Sequence, residues 1–247
     1  MFSRLRYWSR HVLARLPTLL PSSCALCSGN APHALCEGCR GDFFAHQPLR
    51  CMQCAIPLPN DAGITAPVCG NCLQHAPAYD ATIVAADYVA PADRLILALK
   101  FGARLELAPL LADMMRDAML SNRLLLPTHL TAVPLGPQRL VERGFNQALE
   151  IAKPLSRALG IALDRKLIVR QRDTQSQARL PPDERRKNLR NAFLVPAEAI
   201  DFVHGRHIGV VDDVMTTGET LHEIAVTLKR FGAARVTNIV FARTPQH

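Results

Sequence analysis

Apolar and polar positions change rhythm along this chain, and the changes divide it. Near the amino end Phe2, Leu5, Trp8, Val12 and Leu16 recur at helical spacing, with Arg4, Arg6, Arg10 and Arg15 around them. That stripe predicts a basic amphipathic helix over residues 1–20. Residues 21–76 are organised by cysteines instead. From residue 77 onward strand and helix signals alternate: 81–89 reads as a strand, 93–99 and 105–120 as helices parted by Gly102, and 130–133 as a short strand. A helix over 145–159 follows, which Pro154 should kink or divide in two because proline cannot donate to the ladder. Residues 167–169 read as a strand. Ile208, Val210 and Val211 suit a strand buried on both faces. Leu221, Ile224, Ala225 and Leu228 predict a helix that Gly232 ends, and 235–241 is the last strand. The expected domains are therefore 1–20, 21–76 and 77–247.

Composition adds scale. At 247 residues and 49% apolar, the chain can build one domain of ordinary size plus a small module. No apolar run reaches the length of a membrane span, and the scattered arginines of the first helix break the run a secretory signal needs. Docking on the rest of the protein is the default for that helix; a membrane surface or a partner is the alternative. The net charge is +8, and nine basic residues against three acids between 165 and 190 supply +6 of it. Basicity is thus largely the property of one loop, 172–188, which can serve as a lid over a phosphorylated sugar or as a solvated flap.

All eight cysteines fall in C-x-x-C pairs in the first third of the chain: Cys24/Cys27, Cys36/Cys39, Cys51/Cys54 and Cys69/Cys72. Thiolates two residues apart converge on one tetrahedral ion, so two pairs complete a closed Zn²⁺ site and four pairs allow two. Sequential and cross-braced pairings both satisfy the spacing. With all-cysteine ligation and no open position, the metal is structural and replaces a core that so short a segment lacks. A secreted disulfide framework would want a signal that the chain does not show. His33, His46 and His75 are surplus to the sites.

Residues 208–220 carry the chemistry. Asp212 and Asp213 stand where strand becomes helix, followed by Val214, Met215, Thr216, Thr217, Gly218, Glu219 and Thr220. Helix-starting amides lack internal partners and favour a phosphate, the threonines add hydroxyl donors, and Gly218 permits close backbone approach. Paired carboxylates accept from vicinal ribose hydroxyls or hold a divalent cation. Upstream, Arg139 and Arg143 lie beside glycines after a strand and can clamp a phosphate, with the backbone at Leu135 and Gly136 close by. Lys100 is a secondary phosphate candidate, with solvation at a helix end as its plainer reading.

The 208–220 string resembles the phosphoribosyl-pyrophosphate (PRPP) loop of type I phosphoribosyltransferases. The wider pattern is similar to the ComF family, which includes relatives called GntX: paired zinc ribbons, then residues 99–102, 133–135, Arg139, 143–148, Thr174, Gln177, Leu180, Arg185, Asn188, Phe193 and 211–218. The resemblance implies a type I phosphoribosyltransferase fold with a central, mostly parallel α/β sheet. It also implies Mg²⁺-dependent PRPP binding and a cytoplasmic role, linked in some members to DNA uptake. Two functions stand side by side. In the first, PRPP loses pyrophosphate and the ribose 5-phosphate passes to an unknown acceptor, with Asp212 and Asp213 on the ribose, residues 214–220 on the 5′-phosphate and the arginines on pyrophosphate. In the second, the chain senses PRPP or handles single-stranded DNA with DNA-uptake partners. Aromatics are scarce, at 5%, for a stacking platform.

Overall fold

The computed structural model describes residues 22–59, 67–122, 124–171 and 191–245. The helix expected over 1–20 and the basic loop expected over 172–188 lie outside the described residues. The chain forms two compact units, Met1–His46 and Gln47–His247. Their boundary falls between the second and third cysteine pairs.

In the first unit β1 (Ser22–Ser23) and β2 (Asn30–Ala31) pair antiparallel, and α1 (Glu37–Phe44) starts at Cys36. The second unit opens with a turn at Cys51 and the short α2 (Gly70–Gln74). Then come β3 (Ala81–Asp87), α3 (Ala92–Phe101), α4 (Leu107–Ser121), β4 (His129–Ala132), α5 (Pro137–Arg143), α6 (Gln147–Leu159), β5 (Ala162–Leu163), β6 (Val169–Arg170), β7 (Phe193–Leu194), α7 (Ile200–Val203), β8 (His207–Met215), α8 (Glu219–Arg230) and β9 (Arg235–Arg243). A five-stranded sheet in the order β3-β9-β8-β4-β5 runs parallel throughout. The crossovers β4-α6-β5 and β8-α8-β9 step in opposite directions from the centre. With right-handed connections they place α6 and α8 on opposite faces.

Two-sided cover explains the apolar content of the central strands. Ile208, Val210, Val211, Val236, Ile239, Val240 and Phe241 have no exposed surface. From α4, Leu107, Leu111 and Met115 repeat every four residues and are at most 1% exposed. Each such side chain stabilises the fold by about 1.5–3 kcal/mol relative to leaving it in water. One edge of the sheet is closed by the cysteine segment, since the Thr82 amide donates to the Met52 carbonyl at 3.0 Å and Gln47 Nε2 to the Ala85 carbonyl at 3.0 Å.

The structure differs from the sequence reading in three places. Helix α6 runs undivided through Pro154; Ile151, Ala152 and Leu155 are fully buried on either side, and packing outweighs one missing backbone bond. Residues 137–143, where no element was expected, form a helix between Gly136 and a left-handed Gly144 at φ 79°. The strand expected at 167–169 is the pair Val169–Arg170, and β5 gave no signal because it spans only two residues. Gly232 ends α8 as expected: it follows the C-cap Phe231 in the left-handed region at φ 86°, and the Ala233 amide donates back to the Leu228 carbonyl at 3.1 Å.

Candidate functional site

The acidic pair lies at the carboxyl end of the central strand. Residues His129 to Ala132 of β4 accompany β8 only as far as Val211, whereas β9 pairs with it to Met215. Asp212 therefore stands where one neighbour ends, in the crevice where sheets of this topology receive ligands. Successive strand residues point to opposite faces, so the two carboxylates have separate surroundings.

Asp213 is 2% exposed and fully engaged. Gln147 Nε2 donates to its Oδ1 at 3.3 Å, and Lys100 Nζ forms an ion pair with its Oδ2. Lys100 thus contacts a carboxylate, an arrangement neither sequence reading foresaw. Asp212 is the more open of the two, and its Oδ1 accepts from the Asp213 amide at 2.9 Å. Protein atoms crowd its carboxylate even so. Burial first, then repulsion from Asp213, holds its pKa well above the aspartate range, while Lys100 pulls the other way.

Three separated segments meet here. Arg143 Nη1 donates to Gln147 Oε1 at 2.6 Å, which continues the chain of contacts from Asp213 to a guanidinium, and Arg143 lies 5.6 Å from the centroid of the Phe101 ring. Arg139 stands one helical turn earlier on α5. Asn146 fixes the junction, accepting from the Leu149 amide at 3.3 Å and donating to the Val133 carbonyl at 3.0 Å. Leu135 is half-buried and Gly136 buried just before α5. Gln147, Asn146 and Phe101 take part although only their motif strings marked them beforehand.

Past the acids, Val214 is half-buried and Met215 buried, while Thr216 and Thr217 are exposed. Gly218 takes φ +87° directly before α8, and a Cβ there would stand 2.5 Å from Met215 Cε and 3.0 Å from Tyr79 Oη. Only glycine meets both demands. Glu219 and Thr220 are half-buried in the first turn of α8. The turn thus presents hydroxyls and helix-start amides beside a carboxylate, a donor and acceptor set suited to a sugar phosphate.

The cysteines gather in sequential fours: Cys24, Cys27, Cys36 and Cys39, then Cys51, Cys54, Cys69 and Cys72, with the sulfurs of each set within 4.8 Å of one another. The Cys27–Cys36 and Cys54–Cys69 sulfurs are 3.8 and 3.6 Å apart. A tetrahedron with metal–sulfur bonds of about 2.3 Å has edges of about 3.8 Å, so both sets fit zinc. Their acidity agrees. The Cys54 hydrogen bond draws Cys51 down to about 4, whereas burial leads in pushing Cys72 up to about 12 and the Cys36 contact leads in pushing Cys39 to about 12. Four thiols so placed cannot all ionise without a cation among them.

Comparison with known proteins agrees with this geometry. Residues 145–247 match the phosphoribosyl transferase domain, and residues 16–73 match the double zinc ribbon domain. DNA utilization protein YhgH of Escherichia coli O157:H7 is 38% identical over 234 residues, covering 91% of this chain and 98% of that protein. Competence protein F of Haemophilus influenzae is 34% identical over 220 residues, covering 86% of this chain and 93% of that one. The chain belongs to the ComF family. Its fold is accordingly that of a type I phosphoribosyltransferase, a parallel central sheet with flanking helices, preceded by a cysteine-rich double zinc ribbon region. Among the described residues no helix of this ComF-family protein is long and apolar enough to cross a membrane.

Proposed function

We propose that this ComF-family protein binds PRPP with Mg²⁺ and transfers its ribose 5-phosphate to an acceptor. The observation that carries the reading is the union of Asp212, Asp213 and the 216–218 turn at the open end of β8, beside Arg143. The residues would divide the work. The amides and hydroxyls of Thr216, Thr217 and Thr220 hold the 5′-phosphate. Asp212, the more open carboxylate, takes the ribose hydroxyls, and Asp213 is braced behind it by Lys100 and Gln147. Arg139 and Arg143 neutralise the leaving pyrophosphate.

In the transfer, the bond from the anomeric carbon to pyrophosphate oxygen breaks and takes its electron pair with it. A nucleophilic atom of the acceptor bonds to that carbon, and the acceptor's proton passes to solvent. The Asp212 carboxylate suits Mg²⁺ as a hard oxygen donor; bound with PRPP, the ion would supply positive charge to the ribose and pyrophosphate oxygens.

PRPP with Mg²⁺ should raise the melting temperature of the protein, and Asp213→Ala or Thr217→Ala should remove the rise. An unchanged melting temperature in the intact protein would sink the pocket assignment. Released pyrophosphate across a panel of bases, nucleosides and DNA ends then identifies the acceptor.

The names of the relatives favour a second reading, in which the same pocket senses PRPP or a nucleotide end while the protein handles single-stranded DNA. Affinity for DNA that falls steeply with salt, with no pyrophosphate released by any acceptor, would select it.

A further inference from the structure

Arg243, the last residue of β9, heads the fully buried side chains by volume at 1% exposure. Its Nε donates to the Cys54 carbonyl at 3.0 Å. Its Nη1 donates to the carbonyls of Met215 at 3.2 Å, Thr244 at 2.9 Å and, in closest contact, Thr216. Among the described residues its hydrogen-bond partners are backbone carbonyls, and no carboxylate forms an ion pair with it. A guanidinium out of water requires an opposite charge nearby. Four thiolates around one zinc ion carry a net charge of about −2, and Cys54 belongs to such a set. The second knuckle therefore supplies what Arg243 lacks.

The other end of the contact concerns the phosphate turn. In a trans peptide the carbonyl and the next amide point in opposite directions. Carbonyls of Met215 and Thr216 drawn toward Arg243 leave the amides of Thr216 and Thr217 facing away from it. Tyr79, 4% exposed, backs the same turn, as its hydroxyl is 3.0 Å from the Cβ position of Gly218.

We infer that Arg243 is a positioning residue that takes the zinc-loaded Cys51–Cys54–Cys69–Cys72 knuckle as its counter-charge and turns the Thr216 and Thr217 amides toward the phosphate. The inference rests on the PRPP reading above. It makes the knuckle and the turn one coupled device, and coupling is reciprocal: metal that improves phosphate binding must itself be held more tightly when phosphate is bound.

Full-length zinc-loaded protein in excess Mg²⁺ is exposed to a zinc-selective chelator and iodoacetamide, and peptide mass spectrometry follows each cysteine. Saturating PRPP should slow labelling of Cys51 and Cys54 by about 5-fold or more and leave Cys24 and Cys27 unchanged. Arg243→Lys keeps the charge but loses the planar fork. It should retain both zinc ions, bind PRPP more weakly and, at PRPP concentrations that saturate it, show no protection of Cys51 or Cys54. Protection that persists in Arg243→Lys overturns the inference, because it would then reflect general stabilisation by the ligand. A melting-temperature rise in the wild-type protein without slower labelling overturns the coupling and leaves the PRPP reading standing. No rise at all removes both. Should Arg243→Lys fail to fold, Arg243→Gln is labelled in the same way, and protection of Cys51 and Cys54 that persists in it overturns the inference.

Discussion

The two cysteine knuckles have the same ligands and opposite structural relations to their surroundings. Among the described residues, bonds to the cysteine sulfurs of the first come from its own segment: the Leu26 and Cys36 amides both donate to Cys24 Sγ at 3.5 Å, and Cys27 is exposed. The second is built into the Gln47–His247 unit. Cys51 is fully buried, Met52 caps the β3 edge, Cys54 receives Arg243, and Arg50 pairs with Asp87 at 2.9 Å. A zinc ribbon is therefore a local staple in one case and part of a larger core in the other, and a metal's importance follows from what its ligands' backbone touches.

The strongest test of that contrast removes one ligand from each. Cys51→Ser should lower the unfolding midpoint of the Gln47–His247 unit by roughly 10 °C, as loss of a structural zinc costs several kcal/mol. Cys24→Ser should leave that transition within about 2 °C. Equal shifts in calorimetry would abolish the contrast.

A perturbation in the acidic pair asks whether the large unit alone responds. Lys100→Met leaves Asp213 buried and unpaired, and should destabilise this unit by about 3 kcal/mol in urea titrations without changing the labelling of Cys24. At the turn, Gly218→Ala forces a side chain to φ +87° against Met215. A cost of about 2 kcal/mol is expected, with faster labelling of Cys54 but not of Cys24.

The smallest effect comes from pH. The fold raises the Asp212 pKa, so the folded state holds that proton more tightly than the unfolded chain does. The resulting stability is fully present below the ordinary aspartate value of 3.8 and is lost as pH rises through the raised one. Denaturation of the ligand-free protein across this window should show the decline, and Asp212→Asn should flatten it. Binding of PRPP with Mg²⁺, which needs the carboxylate ionised, should strengthen in the same direction.

Much of the fold was legible because it is written in short-range pattern. The apolar runs of β3, β8 and β9, the stripe of α4 and the punctuation at Gly102 and Gly232 are visible without a structure, since burial on two faces or one imposes its own period. Cysteine spacing announced metal but left the pairing open; the structure places the sulfurs in sequential fours. Proline misled at position 154, where packing on both sides of the residue outweighed a local preference.

What the chain's order of residues determined by itself was therefore an inventory: which segments are strands or helices, which thiols can ligate zinc, and where carboxylates, threonines and glycine stand together. Only the tertiary structure decided their company. Lys100 meets Asp213 across 113 positions of sequence, and Arg243 reaches Cys54 across 189. Neither pair leaves a periodic signal, because such contacts depend on strand order and crossover direction, which bring remote residues together with no mark in the intervening sequence.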